Sequence, residues 1–146
     1  MTGGSTLTEH DEAGQQLAGR LATEYLLRAA DAVNLTLAGD LTMALVFIGV
    51  VQANAILAPG GGESPCRRPI SGGALAASLS IPAETVRRKV KALIAAGYLR
   101  RERGGLVAPP EALKRPEIAR VLRANYLNLR RLFRQFKKLG IDLGAA

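Results

Sequence analysis

The chain has 146 residues, 48% of them hydrophobic, enough for one domain with a core that needs neither disulfides nor metals. A single cysteine, Cys66, and a single histidine, His10, rule out an intrachain disulfide and leave a zinc site without its usual ligands, which fits a reducing cytoplasm. The formal charge of +8 is unevenly spread: Met1–Ser80 holds four Arg against seven Asp or Glu, whereas Ile81–Ala146 holds sixteen Lys or Arg against five, so attraction to a polyanion is expected from the second half.

Residues 1–11 read as a disordered tail, with no basic stretch leading into an apolar core as a signal peptide requires. From Glu12 to Ala32, Leu17, Leu21, Tyr25 and Ala29 recur at helical spacing and predict an amphipathic helix. Asp40 then stands as an N-cap before an apolar stretch, Leu41 to Leu57, ended by Pro59 and the glycines 60–62. That stretch is short of the roughly 20 residues a bilayer needs and contains Thr42, Gln52 and Asn54. It predicts a helix covered on most sides, at the centre of the domain or between two subunits, and no membrane partner. Residues 58–69, rich in Gly and Pro, form an exposed connector in which Arg67 and Arg68 either do nothing specific or reach a phosphate.

The most informative segment follows. Ile70 begins a short strand, Ser71 caps a helix to about Leu79 with Leu75, Ala76 and Leu79 inward, and Ser80, Ile81 and Pro82 make a turn. Pro82 suits the first turn of a second helix running to about Ala96, and Gly97 supplies its left-handed stop. Tyr98–Glu102 and Leu106–Ala108 are predicted strands joined through Arg103, Gly104 and Gly105, closed by Pro109 and Pro110.

On the second helix, a rotation of 100° per residue turns Val86, Val90, Leu93, Ile94 and Gly97 inward and leaves Glu84, Arg88, Lys91 and Ala95 facing away, with Thr85 and Arg87 on the flanks. A helix docked in a DNA major groove meets base edges with its N-terminal outward residues, which nominates Ala83, Glu84, Thr85, Arg87 and Arg88. Arg88 is the leading base reader, by a paired contact to guanine, and Glu84 can accept from cytosine N4. Arg87 and Lys91 suit phosphates, while Lys89 lies nearer the buried side. Arg100, Arg101 and Arg103 on the hairpin can grip an adjacent minor groove or stay solvated. Such cations on an isolated helix usually mark only a wet face. The cap, the proline turn, the glycine stop and the hairpin around them favour DNA.

A last helix, Glu117–Leu139, follows Pro116. Ile118, Leu122, Asn125, Leu129, Leu132 and Phe136 fall on alternating steps of four and three, a dimerisation seam widened by Val121, Tyr126 and Phe133, so the helix is expected to pack on its own domain and on a partner. Asn125 either sets the register of that seam or lies at its edge. No enzyme is expected, because the usual nucleophile, base, metal and phosphate-loop arrangements lack their parts, and no cofactor is called for.

Ile70-Ser71, Leu75, Ala76, Leu79, Ile81, Glu84 to Arg88, Val90, Leu93, Gly97-Tyr98-Leu99 and Gly104-Gly105 together resemble the winged helix-turn-helix of bacterial transcription regulators. Helices before the motif (12–58) and after it (116–140), flanking residues 70–108, resemble the layout of the multiple-antibiotic-resistance regulator (MarR) family. The motif is also similar to those of the IclR, GntR and Crp groups. The resemblance implies a mainly α fold with a small β-hairpin wing, flanked by N- and C-terminal dimerisation helices, and a cytoplasmic homodimer that binds double-stranded DNA as a transcription regulator, with any small-molecule effector unknown. The alternative is a winged-helix module that docks another protein and does not read DNA.

Overall fold

The computed structural model describes residues 9–55 and 68–141. Its elements, in chain order, are α1 (Glu9–Asn34), α2 (Leu41–Asn54), α3 (Gly72–Leu79), α4 (Ala83–Ala95), β1 (Arg100–Glu102), β2 (Gly105–Val107), α5 (Pro110–Leu113) and α6 (Pro116–Lys138). The fold is therefore mainly helical, with one two-stranded antiparallel sheet. Residues 1–8 of the expected tail, and most of the 58–69 connector with Arg67 and Cys66, lie outside the described residues, while residues 9–11 of that tail are helical and open α1. The chain groups into two compact units: Val33–Val121, and the segments Met1–Ala32 and Leu122–Ala146 together.

In the Val33–Val121 unit, local chemistry starts α2 and α3 and ends α3 and α4 close to where the sequence predicts, whereas α2 stops at Asn54, short of the expected Leu57, and the short helix α5 is unforeseen. Asp40 caps α2, its carboxylate accepting from the Met43 N–H at 2.8 Å, and Ser71 Oγ caps α3 by accepting from the Ala74 N–H at 3.1 Å. Ser80 takes the left-handed conformation at φ 53°, which ends α3 and lets the Ile81 N–H donate back to the Ala76 carbonyl at 3.1 Å. Gly97, at φ 79°, reverses the chain after α4, and the Tyr98 N–H donates to the Leu93 carbonyl at 2.9 Å.

The two strands pair Arg100 with Val107, Arg101 with Leu106 and Glu102 with Gly105. Arg103 and Gly104, at φ 48° and 74°, form the two-residue turn. Gly105, expected in that turn, instead begins β2 in a tight place: a Cβ there would lie 2.6 Å from the Pro69 Cβ and 3.1 Å from the Ile70 nitrogen. Ile70, expected to begin a short strand, forms a single isolated bridge to Leu106 beside it.

The core of this unit joins Val46, Phe47 and Val50 of α2, Leu75 and Ala76 of α3, Val86, Val90 and Leu93 of α4, and Leu99 and Leu106 of the hairpin region. Asn54 is the one buried polar residue among those described, and it is fully used. Its amide donates to the carbonyls of Arg68 (2.7 Å) and Leu106 (3.1 Å) and accepts from the Ala108 N–H (2.9 Å), tying the end of α2 to the hairpin. At the other end, Arg115 lies over the Tyr98 ring at 4.2 Å and donates to the Ala96 carbonyl, while the Tyr98 hydroxyl donates to Glu117 at 2.7 Å. This cluster fixes the C-terminus of α4 to the first turn of α6. Burial pushes the Tyr98 phenol up, and its hydrogen bond to Glu117 adds to that rise.

Helix α2 is covered on one side within its own chain, so the expected coverage on most sides would need a second subunit. Ala44, Val46, Phe47 and Val50 are buried, but Leu41, Leu45 and Ile48 line the opposite side and remain exposed.

In the other unit, α1 and α6 are joined by polar contacts. The Tyr25 hydroxyl donates to Asn125 Oδ1 at 3.0 Å, Asn128 donates to the Tyr25 carbonyl at 2.9 Å, and Glu24 pairs with both Arg28 and Arg131.

Candidate nucleic-acid interface

The apolar spacing of α4 aims Val86, Val90 and Leu93 into the core, and that fixes what faces outward: Ala83, Glu84, Arg87, Arg88 and Lys91 are exposed and Thr85 is half-buried. The rotational assignment from sequence holds from Val86 to Leu93, whereas Gly97, expected inward, is exposed because the helix has already ended at Ala95. Lys89 is half-buried, and its ammonium pairs with Asp40 at 2.5 Å. The lysine hydrogen bond, helped by the Met43 N–H, holds the Asp40 carboxyl below its ordinary value. One aspartate thus caps α2 and anchors α4.

The remaining cations divide by whether an acid holds them. Glu84 takes Arg87 with both oxygens, Oε1 at 2.6 Å from Nη2 and Oε2 at 2.8 Å from Nε. That hydrogen bond holds the Glu84 carboxyl below its ordinary value. On β1, Arg100 is paired with Glu102 at 3.1 Å. Arg88, Lys91, Arg101 and Arg103 have no acidic partner among the described residues. Within α4 and the hairpin, those four are the cations free to meet an external anion.

Arg103 carries its charge at the hairpin tip with φ 48°, a conformation in which Asn or Gly is the unstrained choice. Arg101 and Arg87 reach a common concavity of about 190 Å³. Val86, Val90 and Leu106 line it with Ala83 and the glycines that open α3, Gly72 and Gly73. The sequence singles out Arg87, Arg101 and Ala83 through charge and helix position, but that reasoning misses the two glycines. Neither has any atom within 4 Å of where a Cβ would sit, so the backbone there is open, a feature of the structure that the sequence does not carry. Arg68 is exposed, with its carbonyl held by Asn54.

The expected dimerisation seam is divided by the structure. Ile118 is a correction: at 7% exposure it belongs to the core of the Val33–Val121 unit and has no surface left for a partner. Asn125 accepts from Tyr25, and Leu132 and Phe136 are half-buried, so these three are partly used within the chain. Leu122 and Leu129 are exposed, together with Tyr126 and Phe133. Periodicity identifies the apolar stripe correctly, but it cannot say which edge the chain itself covers.

Among the described residues, no group of three or more His, Cys, Asp or Glu stands together to hold a metal ion, and no helix is long and apolar enough to cross a membrane. No protein-family model, curated protein or solved structure matches the chain.

Proposed function

We propose that the chain is a sequence-specific, double-stranded-DNA-binding transcription regulator of winged helix-turn-helix type, acting in the cytoplasm as a homodimer with a MarR-like layout. The observation that carries this is the set of exposed cations without acidic partners, Arg88 and Lys91 on α4 and Arg101 and Arg103 on the hairpin, around the opening helix residues Ala83 to Arg88. In this reading α4 enters the major groove and the hairpin is the wing. Arg88 reads a base edge, while Lys91, Arg101 and Arg103 hold backbone phosphates.

Two further features support it. Arg103 occupies a strained backbone position at the wing tip, a cost that a cation needed at that place explains. The exposed Leu122, Tyr126, Leu129 and Phe133 of α6 form a stripe of the kind that a second copy covers, and a homodimer of this class reads two half-sites about one helical turn, roughly 34 Å, apart.

Salt-dependent binding to short duplexes tests the proposal. The logarithm of the affinity should fall linearly with the logarithm of salt concentration, and Lys91→Ala or Arg101→Ala should each flatten the slope by about 0.9 per protomer. A module that docks protein instead would show at most the salt-sensitive, sequence-blind attraction of a +8 chain, with neither single variant flattening the slope by a full contact.

A further inference from the structure

Glu84 is the only acid on α4, whose other charged residues are Arg87, Arg88, Lys89 and Lys91. A carboxylate in a first helical turn has a plain local reason in the partial positive charge of the unpaired N–H groups there. That reason makes no demand on an arginine. Yet both oxygens of Glu84 are engaged by one guanidinium, through two hydrogen bonds of 2.6 and 2.8 Å.

A carboxylate meeting a guanidinium in this paired fork presents the same acceptor pattern as a phosphate. Arg87 therefore reaches a backbone phosphate only by exchanging one acceptor for another. Both side chains are open to solvent, 61% and 65% exposed, so nothing in the fold locks the pair and exchange is sterically free. Of the three exposed cations on α4, only Arg87 is held in this way; Arg88 and Lys91 have no acidic partner among the described residues. The pair also sits at the end of the helix that meets base edges if α4 docks in a major groove.

We propose, building on the DNA-binding reading above, that Glu84 is a specificity-determining gate on Arg87. On duplex of arbitrary sequence the carboxylate keeps the guanidinium and repels the backbone. Where the groove presents an exocyclic amine, cytosine N4 above all, the carboxylate accepts from the base and Arg87 passes to a phosphate. The exchange leaves every donor with an acceptor, whereas on the wrong base the release of Arg87 strands the carboxylate among phosphates. Glu84 thus weakens binding to all DNA and weakens it least on the correct site.

The test measures binding of the full-length chain to a duplex obtained by selection and to a scrambled duplex of equal length, over a salt series. The proteins are wild type, Glu84→Gln, Arg87→Ala and the double variant, with Arg88→Ala as reference. Glu84→Gln is expected to tighten the scrambled duplex about three- to tenfold at low salt and to steepen its salt slope by about 0.9 per protomer, as one more phosphate contact requires. The preference for the selected duplex should shrink about tenfold, and adding Arg87→Ala should remove the gain on scrambled DNA. Equal weakening on both duplexes, or no change in affinity and slope, overturns the gate and leaves Glu84 a helix-end residue. If Arg88→Ala weakens binding while Glu84→Gln changes nothing, the gate alone falls. If no variant and no wild-type protein binds any duplex in a salt-dependent way, the gate and the DNA-binding proposal fall together.

Discussion

The two compact units meet the problem of burying apolar surface in opposite ways. In Val33–Val121, short helices and a hairpin enclose a continuous core, and every buried hydrophobic side chain among the described residues belongs to this unit. In the α1 and α6 unit no described residue is buried, while Leu26, Leu27, Leu122, Tyr126 and Phe133 are all more than half exposed. Two helices alone cannot enclose a core, so their apolar faces stay open unless another surface covers them. The first unit has what it needs to hold a rigid cationic face in place. The second has the surface of an assembly element, and a second copy of the chain is the occupant that the proposed dimer supplies.

The largest effect should come from the enclosed core. Leu93 is fully buried, and Leu93→Ala should lower unfolding stability by about 2–5 kcal/mol in a urea titration. Leu27 in the other unit is 66% exposed, and Leu27→Ala should stay within about 0.5 kcal/mol at concentrations where the chain is monomeric. Equal losses would erase the contrast.

Charging the open stripe comes next. Leu122→Glu combined with Phe133→Glu should weaken self-association by about 100-fold, since apolar contacts are lost and carboxylates must be desolvated in the interface. Light scattering should show the mass falling from twice the 15.4 kDa chain to one chain. An unchanged dimer would move the interface to another surface, with the exposed Leu41, Leu45 and Ile48 of α2 next in line.

A third comparison sets two asparagines against each other. Asn54 is 5% exposed and makes three hydrogen bonds, so Asn54→Ala should cost about 2 kcal/mol or more by leaving backbone groups unpaired. Asn125 is half-buried and receives one bond, from Tyr25, so Asn125→Ala should cost about 1 kcal/mol or less. Urea midpoints of the two variants read the difference directly.

The smallest effect concerns pH. The Asp40 carboxyl is held below its ordinary value by Lys89, so its contribution is present above the unfolded-state pKa and is lost as pH falls through the depressed folded-state value. Asparagine retains the helix cap but cannot titrate, so Asp40→Asn should flatten the fall in stability below about pH 4. The difference should be about 1 kcal/mol or less, because the pair is partly solvated. Urea midpoints between pH 2 and 6 decide this, and parallel curves for the two proteins would remove the Asp40–Lys89 pair from the acid response.

Local chemistry is legible in the sequence, and long-range partnership is not. Asp40, Ser71 and Gly97 act within three to five residues of their own position, so cap and stop chemistry identifies them from sequence. The outward face of α4 is legible for the same reason, because helical rotation is a local property. By contrast, Asp40 meets Lys89 across 49 residues, Asn54 meets Ala108 across 54, and Tyr25 meets Asn125 across 100. A periodic stripe gives the side a residue faces and is silent on what it meets there, which is why periodicity assigns Ile118 to a partner although it sits in its own core.

The central claim is that the face built by Ala83 to Arg88 and the hairpin cations reads DNA sequence. The most direct measurement is selection from a random duplex library by the full-length chain at two salt concentrations, run in parallel with Arg88→Ala. Enrichment of a two-fold symmetric site with half-sites about one helical turn apart, lost or relaxed at a defined base by Arg88→Ala at a cost of about 1–3 kcal/mol, is the predicted result. Salt-sensitive binding with no enriched sequence, together with unchanged affinity in Arg88→Ala, would contradict it.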